Sequence, residues 1–255
     1  MKFFQVMVDG QVRFSFLDGE SLILMEELPD GSWRKSDASV PLAGARLLPP
    51  IVPTKVVALG LNYRNHAVEM KMPIPEEPII FMKPATAVVG PGEAIVYPGG
   101  GLTRRVDYEA ELGIVIAQRC HKVKAEDAAS VIMGYTCVND VTARDLQGKD
   151  GQWTRAKSFD SFCPIGPCIQ TELNPADVKV RAILNGKVVQ ESSTSELIFP
   201  VPKIIEHVTR VMTLMPGDII ATGTPPGVGP MQVGDTITIE VEGIGSLTNT
   251  IVADE

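Results

Sequence analysis

Three acidic residues carry the strongest chemical signal in this chain. Glu109 and Glu111 sit two apart in Val106-Asp107-Tyr108-Glu109-Ala110-Glu111-Leu112-Gly113-Ile114-Val115-Ile116. Read as a strand, this stretch places both carboxylates on one face, roughly 7 Å apart along the backbone. Asp140 follows a short apolar run and is read two ways, as the N-cap of a helical turn over 141–147 or as a third carboxylate of the same site. Like charges this close repel unless water or a cation screens them. One reading is therefore a solvated acidic face, and the other is a set of oxygen ligands for a hard divalent cation.

A second group lies upstream. His66 and Glu69 stand at i and i+3 in Leu61-Asn62-Tyr63-Arg64-Asn65-His66-Ala67-Val68-Glu69. On a helical turn they are neighbours, so the carboxylate can hold the imidazole in the orientation of a general base. An ordinary surface pair fits the same spacing. Arg144, Gln147 and Lys157 follow Asp140 closely and suit a cleft for a carboxylate-bearing ligand, although Lys157 also reads as a solvated loop lysine. The loop Thr222-Gly223-Thr224-Pro225-Pro226-Gly227-Val228-Gly229-Pro230 is expected to leave backbone N–H groups and the Thr224 hydroxyl free for an oxyanion, or else to be a plain connection. His121 and His207 have no second chemical residue nearby and read as structural or surface groups.

Several function classes lack support. Gly-x-Ser-x-Gly, a strand-linked Gly-x-Gly-x-x-Gly and a P-loop are all missing. Cys120, Cys137, Cys163 and Cys168 form no Cys-x-x-Cys pair and no zinc-like cluster, so reduced, buried thiols are expected. With oxygen ligands only, Mg²⁺ or Mn²⁺ is favoured, with Ca²⁺ possible. The formal charge is −8 and no Lys/Arg-rich run occurs, which argues against nucleic acid or an anionic membrane as partner. No run is long enough for a membrane span and no signal peptide is read, so a cytoplasmic protein is expected.

The surrounding elements must position these groups. Residues 1–52 read as a small unit of short strands, closed by the linker Pro49-Pro50-Ile51-Val52-Pro53 and carrying no catalytic constellation. Residues 55–60 and 79–82 read as buried strands, and Met72-Pro73-Ile74-Pro75-Glu76-Glu77-Pro78, with three prolines, as a loop able to move as part of a flap. A helix is expected over 125–133. Asn185-Gly186 between alternating segments predicts a hairpin, and 200–215 an amphipathic helix stopped by Pro216. Strands are expected over 236–241 and 246–252.

Taken together, five motifs resemble the fumarylacetoacetate hydrolase family. They are Asn62-Tyr63 with His66 and Glu69; Asp107-Tyr108-Glu109-Ala110-Glu111-Leu112; Asn139-Asp140 with Ala143-Arg144-Asp145; Ala156-Lys157-Ser158-Phe159; and Thr222-Gly223-Thr224-Pro225 with Gly227-Val228-Gly229. The resemblance runs from about 53 to 252, with 1–52 similar to the small N-terminal domain of many bacterial and archaeal members. It implies an α+β, β-dominated fold, a mixed β-sandwich roll over 53–255 with a small N-terminal α+β domain, usually as a homodimer. It further implies Glu109, Glu111 and Asp140 as metal ligands, and His66, Glu69 and Lys157 as catalytic residues. Arg144, Gln147, Gly223 and Thr224 then contact a small 2-oxo acid substrate. The implied activity is metal-dependent acylpyruvate hydrolysis or oxaloacetate decarboxylation through a stabilised enolate. The alternatives are a 2-hydroxyhepta-2,4-diene-1,7-dioate isomerase or decarboxylase of aromatic catabolism, and a non-catalytic metal- or carboxylate-binding module.

Overall fold

The structure, a computed structural model, describes residues 1–28 and 32–254. It is a β-dominated α+β fold built on a twelve-stranded sheet. At its centre the Ala110–Ile116 strand is fully buried along its length. It pairs antiparallel with Ile132–Asn139 on one side and Ile219–Ala221 on the other. Beyond Ile219–Ala221 lie Lys55–Gly60, parallel to it, and then Ile79–Pro84 at the edge. Beyond Ile132–Asn139 lies Cys163–Gln170, on which the N-terminal strand Lys2–Val8 docks antiparallel. Through that pairing Gln11–Asp18, Ser21–Glu27 and Trp33–Pro41 continue the same sheet as a meander.

A five-stranded sheet packs against one face. Its strands run in the order Lys187–Ser193, Lys179–Leu184, Thr236–Val241, Gly245–Ala253 and Ile95–Tyr97. Leu112, Ile114 and Cys137 meet Ile239, Val241 and Leu247 in one apolar core. The opposite face buries Val115, Val138, Ile165 and Ile219. Burial on both faces explains why the central strand reads as a continuous apolar run after Glu111 rather than as an alternation. All four cysteines are free and buried in these layers, as expected.

The Asn185-Gly186 hairpin is present, with φ of 50° and 79° at its two turn residues, the left-handed pair of a type I′ turn. The amphipathic helix is Val201–Val211. It ends before Pro216, because Met212 turns extended and Leu214 bridges back to Cys120. The helix expected over 125–133 is a 3₁₀ segment, Ala125–Val131, and Ile132 already begins a strand. Ile79–Pro84 is an edge strand rather than a buried one, with Ile79 and Met82 exposed and Lys83 inside. No helix among the described residues is long and apolar enough to cross a membrane.

Candidate active site

The acidic stretch is two strands, with Glu109 at the break. Val106–Tyr108 belongs to a three-stranded sheet with Thr142–Ala143 and Gly229–Met231, while Ala110–Ile116 belongs to the main sheet. The backbone N–H of Asp140 donates to the Glu109 carbonyl at 2.9 Å, and the Glu109 N–H donates to Asn139 Oδ1 at 3.0 Å. This locks the strand break opposite the end of Ile132–Asn139. As a result, one carboxylate oxygen each from Glu109, Glu111 and Asp140 lies within 4.8 Å of the others. The three residues are 6%, 1% and 0% exposed, so the solvated-face reading fails. The capping reading of Asp140 fails too: the helix α2, Arg144–Asp150, is entered through Ala143.

Buried cations hold two of the carboxylates. Lys157, in the short helix Thr154–Lys157, donates to Glu109 at 2.9 Å and to Asp140 at 2.6 Å. Lys83 donates to the other Asp140 oxygen at 2.6 Å and to the Val141 carbonyl at 3.1 Å. Arg144 bonds Glu109 with one terminal nitrogen and Gln147 with the other, while its Nε donates to Asp107 at 2.9 Å. Asp107 is fully buried and also accepts from Arg105 Nε at 2.8 Å. Lys83 and Asp107 had no assigned role in the sequence. For Lys83 the available signal was a charge closing an otherwise apolar strand.

Glu111 differs from its neighbours. Its Oε2 accepts the Gly223 N–H at 2.7 Å, and its Oε1 is buried without a partner. It forms no ion pair among the described residues. Burial, then the Asp140 and Glu109 carboxylates, push its pKa well above the usual range. Burial also acts to raise Glu109, but Lys157 and Arg144 outweigh it and hold that carboxyl down at about 2. Burial acts to lower the Lys157 ammonium, but Asp140 and Glu109 outweigh it and keep the group above its ordinary value. Three convergent carboxylates, one carrying an orphaned buried oxygen, fit a divalent cation, which would supply the counter-charge Glu111 lacks.

These directions set a pH dependence for the metal-free protein. A carboxyl raised on folding holds its proton more tightly in the native state, so stability falls as pH rises from the ordinary carboxylate range through the raised value. Glu109 acts oppositely: its stabilisation is present above the ordinary range and is lost as pH falls toward about 2. Glu111→Gln removes the first effect alone. In EDTA, its melting temperature relative to wild type is expected to climb between pH 5 and pH 8, read by thermal unfolding. A flat difference would mean that Glu111 is not held protonated.

The His66–Glu69 pair forms as its spacing predicted. It lies on helix α1, Arg64–Met70, with His66 Nδ1 2.8 Å from Glu69 Oε2. Glu69 also accepts the Gly227 N–H, at 3.1 and 3.3 Å from its two oxygens, which ties α1 to the Gly/Pro loop. Asn62 fixes the entry to α1, donating to the Thr222 carbonyl at 2.8 Å and accepting from Phe199 N at 2.8 Å. The loop donors expected to be free are engaged. Gly223 N–H serves Glu111, and the Thr224 hydroxyl donates to the Ala110 carbonyl at 3.0 Å and accepts from Gln190 at 2.9 Å. Gly223 has φ of 97°, and a Cβ there would lie 2.8 Å from that of Asn62, so glycine is needed for this close approach. A cavity of about 400 Å³ opens between these groups, lined among others by His66, Glu109, Arg144, Gln147, Lys157 and Thr224.

A β-rich scaffold with buried carboxylates beneath a His–Glu helix is the architecture of a small-molecule enzyme cleft. The chain belongs to the fumarylacetoacetate hydrolase family: residues 55–252 match fumarylacetoacetate (FAA) hydrolase C-terminal, and residues 1–50 match Rv2993c-like, N-terminal. It is 41% identical over 226 residues to the mitochondrial oxaloacetate tautomerase FAHD2A of Bos taurus, covering 84% of this chain and 71% of that one. The crystal structure of 2-hydroxyhepta-2,4-diene-1,7-dioate isomerase from Mycobacterium marinum matches with a TM-score of 0.91 at 44% identity, covering 100% of this chain and 99% of that one. Maleylpyruvate hydrolase from Sphingobium sp. SYK-6, in complex with manganese(II) and pyruvate, matches with a TM-score of 0.83 at 29% identity over 100% of both chains. The relatives thus include a tautomerase, an isomerase and a hydrolase.

Proposed function

We propose that this chain is a divalent-metal-dependent enzyme that cleaves or decarboxylates small 2-oxo acids, with acylpyruvates and oxaloacetate as the leading substrates. The observation that carries this reading is the orphaned Glu111 oxygen among three buried carboxylates, one of which, Glu109, lines the same cavity as His66. Glu109, Glu111 and Asp140 would hold the ion, Mg²⁺ or Mn²⁺, with Mn²⁺ supported by the ion in the Sphingobium structure. Bound there, it would act as a Lewis acid toward the oxygens of the 2-oxo acid.

The chain's own residues supply the rest. Glu69 engages His66 Nδ1 and so leaves Nε2 to take a proton from water. The water oxygen adds to the distal carbonyl of an acylpyruvate. The C3–C4 bond breaks, its electron pair stays on C3, and C3 takes up a proton. The products are a carboxylic acid and pyruvate. Arg144 and Gln147 line the cavity and would orient the substrate, Thr224 lines it with its hydroxyl held between Ala110 and Gln190, and Lys157 would keep the carboxylates in place. Residues 1–52 would be an appended unit on a catalytic part spanning 53–255, and the enzyme would work as a cytoplasmic homodimer.

A second reading, tautomerisation or isomerisation at the carbon beside the 2-oxo group, is favoured by identity: 41% and 44% to the tautomerase and the isomerase against 29% to the hydrolase. It needs the same proton carrier but no water nucleophile. Turnover of acetylpyruvate, oxaloacetate, enol-oxaloacetate and a hydroxyheptadienedioate, with Mn²⁺ and then with EDTA, separates the two. Metal-dependent loss of acetylpyruvate or release of CO₂ supports the lead reading. Interconversion of tautomers or double-bond isomers without fragmentation replaces it with the second.

A further inference from the structure

The cavity has two unlike halves. At its inner end the charges are already engaged: Arg144 with Asp107 and Glu109, Lys157 with Glu109 and Asp140, and His66 with Glu69. Its outer half is walled by Met70, Met72, Ile79 and Trp153, and Phe81 marks the boundary, with the Lys157 ammonium 4.9 Å from its ring centroid. The Trp153 ring stands edge-on to Phe81, with centroids 5.2 Å apart and planes at 76°. It is seated over Gly60, where a Cβ would lie 2.6 Å from the ring, so the absence of a side chain there makes room for this aromatic wall. Met70 and Met72 are each 48% exposed and Ile79 is 42% exposed, leaving apolar surface at the mouth for a ligand to cover.

We propose that, among acylpyruvates with an acyl chain long enough to reach it, this outer half selects those ending in an alkyl or aryl group over those ending in a second carboxylate. The proposal rests on the 2-oxo acid reading above. Among the described residues, the lysine and arginine lining the cavity are Lys157 and Arg144, and both are paired at the inner end. A distal carboxylate would lose its hydration against methionine and aromatic side chains with no cation to replace it. An alkyl or aryl group would instead bury apolar area, and two thioethers can adjust to its shape. Specificity is set in this way by a penalty on the wrong substrate as much as by contacts to the right one.

Two measurements test this, both on the full chain. The first compares kcat/KM with Mn²⁺ for 4-methylpentanoylpyruvate and its carboxylate isostere succinylpyruvate, on wild type and on Met72→Lys. The apolar substrate is expected to be preferred by about tenfold or more in wild type, and the lysine to shrink that ratio by about tenfold. The second uses Trp33→Phe, which leaves Trp153 as the single tryptophan. Its fluorescence reads binding of 2-oxo-6-methylheptanoate and 2-oxoadipate, which lack the 4-oxo group and are not cleaved. The former is expected to bind about tenfold more tightly and to perturb Trp153. Equal or tighter binding of 2-oxoadipate, or preferred cleavage of succinylpyruvate, overturns the proposal while leaving the 2-oxo acid reading intact. If none of the four compounds binds or reacts, that reading falls and the proposal with it.

Discussion

Lys157→Met is expected to lower the stability of the metal-free protein by about 3–5 kcal/mol, the usual cost of stripping one partner from a buried ion pair. Lys157 is 2% exposed and bonds Glu109 and Asp140 at once. Without it, the ionised Glu109 and Asp140, whose oxygens lie within 4.8 Å, face one another with Lys83 and Arg144 as their remaining cations among the described residues. Methionine fills the space but carries no charge. Saturating Mn²⁺ should restore much of the loss, because the ion brings positive charge to the same oxygens. Denaturant unfolding with EDTA and with Mn²⁺ checks this. A loss below about 1 kcal/mol in EDTA would mean that the carboxylates are relieved in some other way, such as by water entry or by taking up protons.

His66→Ala is expected to lower the rate of acylpyruvate hydrolysis by roughly 10²- to 10⁴-fold, the usual contribution of a positioned general base. Metal affinity should not change, because among the described residues the His66 ring pairs with Glu69 and with none of the three acidic residues. Decarboxylation of oxaloacetate needs no activated water, so it should fall much less. Steady-state rates on both substrates give the answer. Equal losses on both would show that His66 serves binding or lid closure rather than proton removal. Glu69→Gln keeps a hydrogen-bonding group beside the imidazole and should be milder, with its effect divided between KM and kcat because Glu69 also holds the Gly227 amide.

The chemical residues were legible because they stand in short local patterns. Two glutamates two apart and an Asp at a strand end converge within 4.8 Å, a His and a Glu three apart pair at 2.8 Å, and Glu109 and His66 line one cavity. Missing from the sequence was the pairing that turns a strand break at Glu109 toward Asp140, which depends on the Asp140 N–H reaching the Glu109 carbonyl. The role of Lys83 is hidden in the sequence for a related reason. It is more than fifty residues from Asp140 in sequence, and only the antiparallel pairing of Lys55–Gly60 with Ile79–Pro84 carries it inside. The apolar run 79–82 suggested a buried strand, but an apolar run also suits a sheet edge that lines a cavity, and burial cannot be read from composition alone. The Gly/Pro loop reads from its composition either as a source of free donors or as a plain connection. It instead folds back on the Ala110–Ile116 strand and Glu111, and so its donors are taken. The N-terminal alternation gave the strands themselves but not their junction with the main sheet at Lys2↔Gln170, since alternation fixes faces and not partners.

Calorimetric titration of Mn²⁺ into metal-stripped protein, on wild type and Glu111→Gln, goes most directly to the carboxylate cluster. Wild type is expected to bind one ion per chain and to release protons in doing so, because Glu111 is held above its ordinary pKa until the ion arrives. Glu111→Gln should bind far more weakly and release fewer protons. An absence of saturable binding in wild type, or unchanged binding in the variant, would contradict a metal site at Glu109, Glu111 and Asp140.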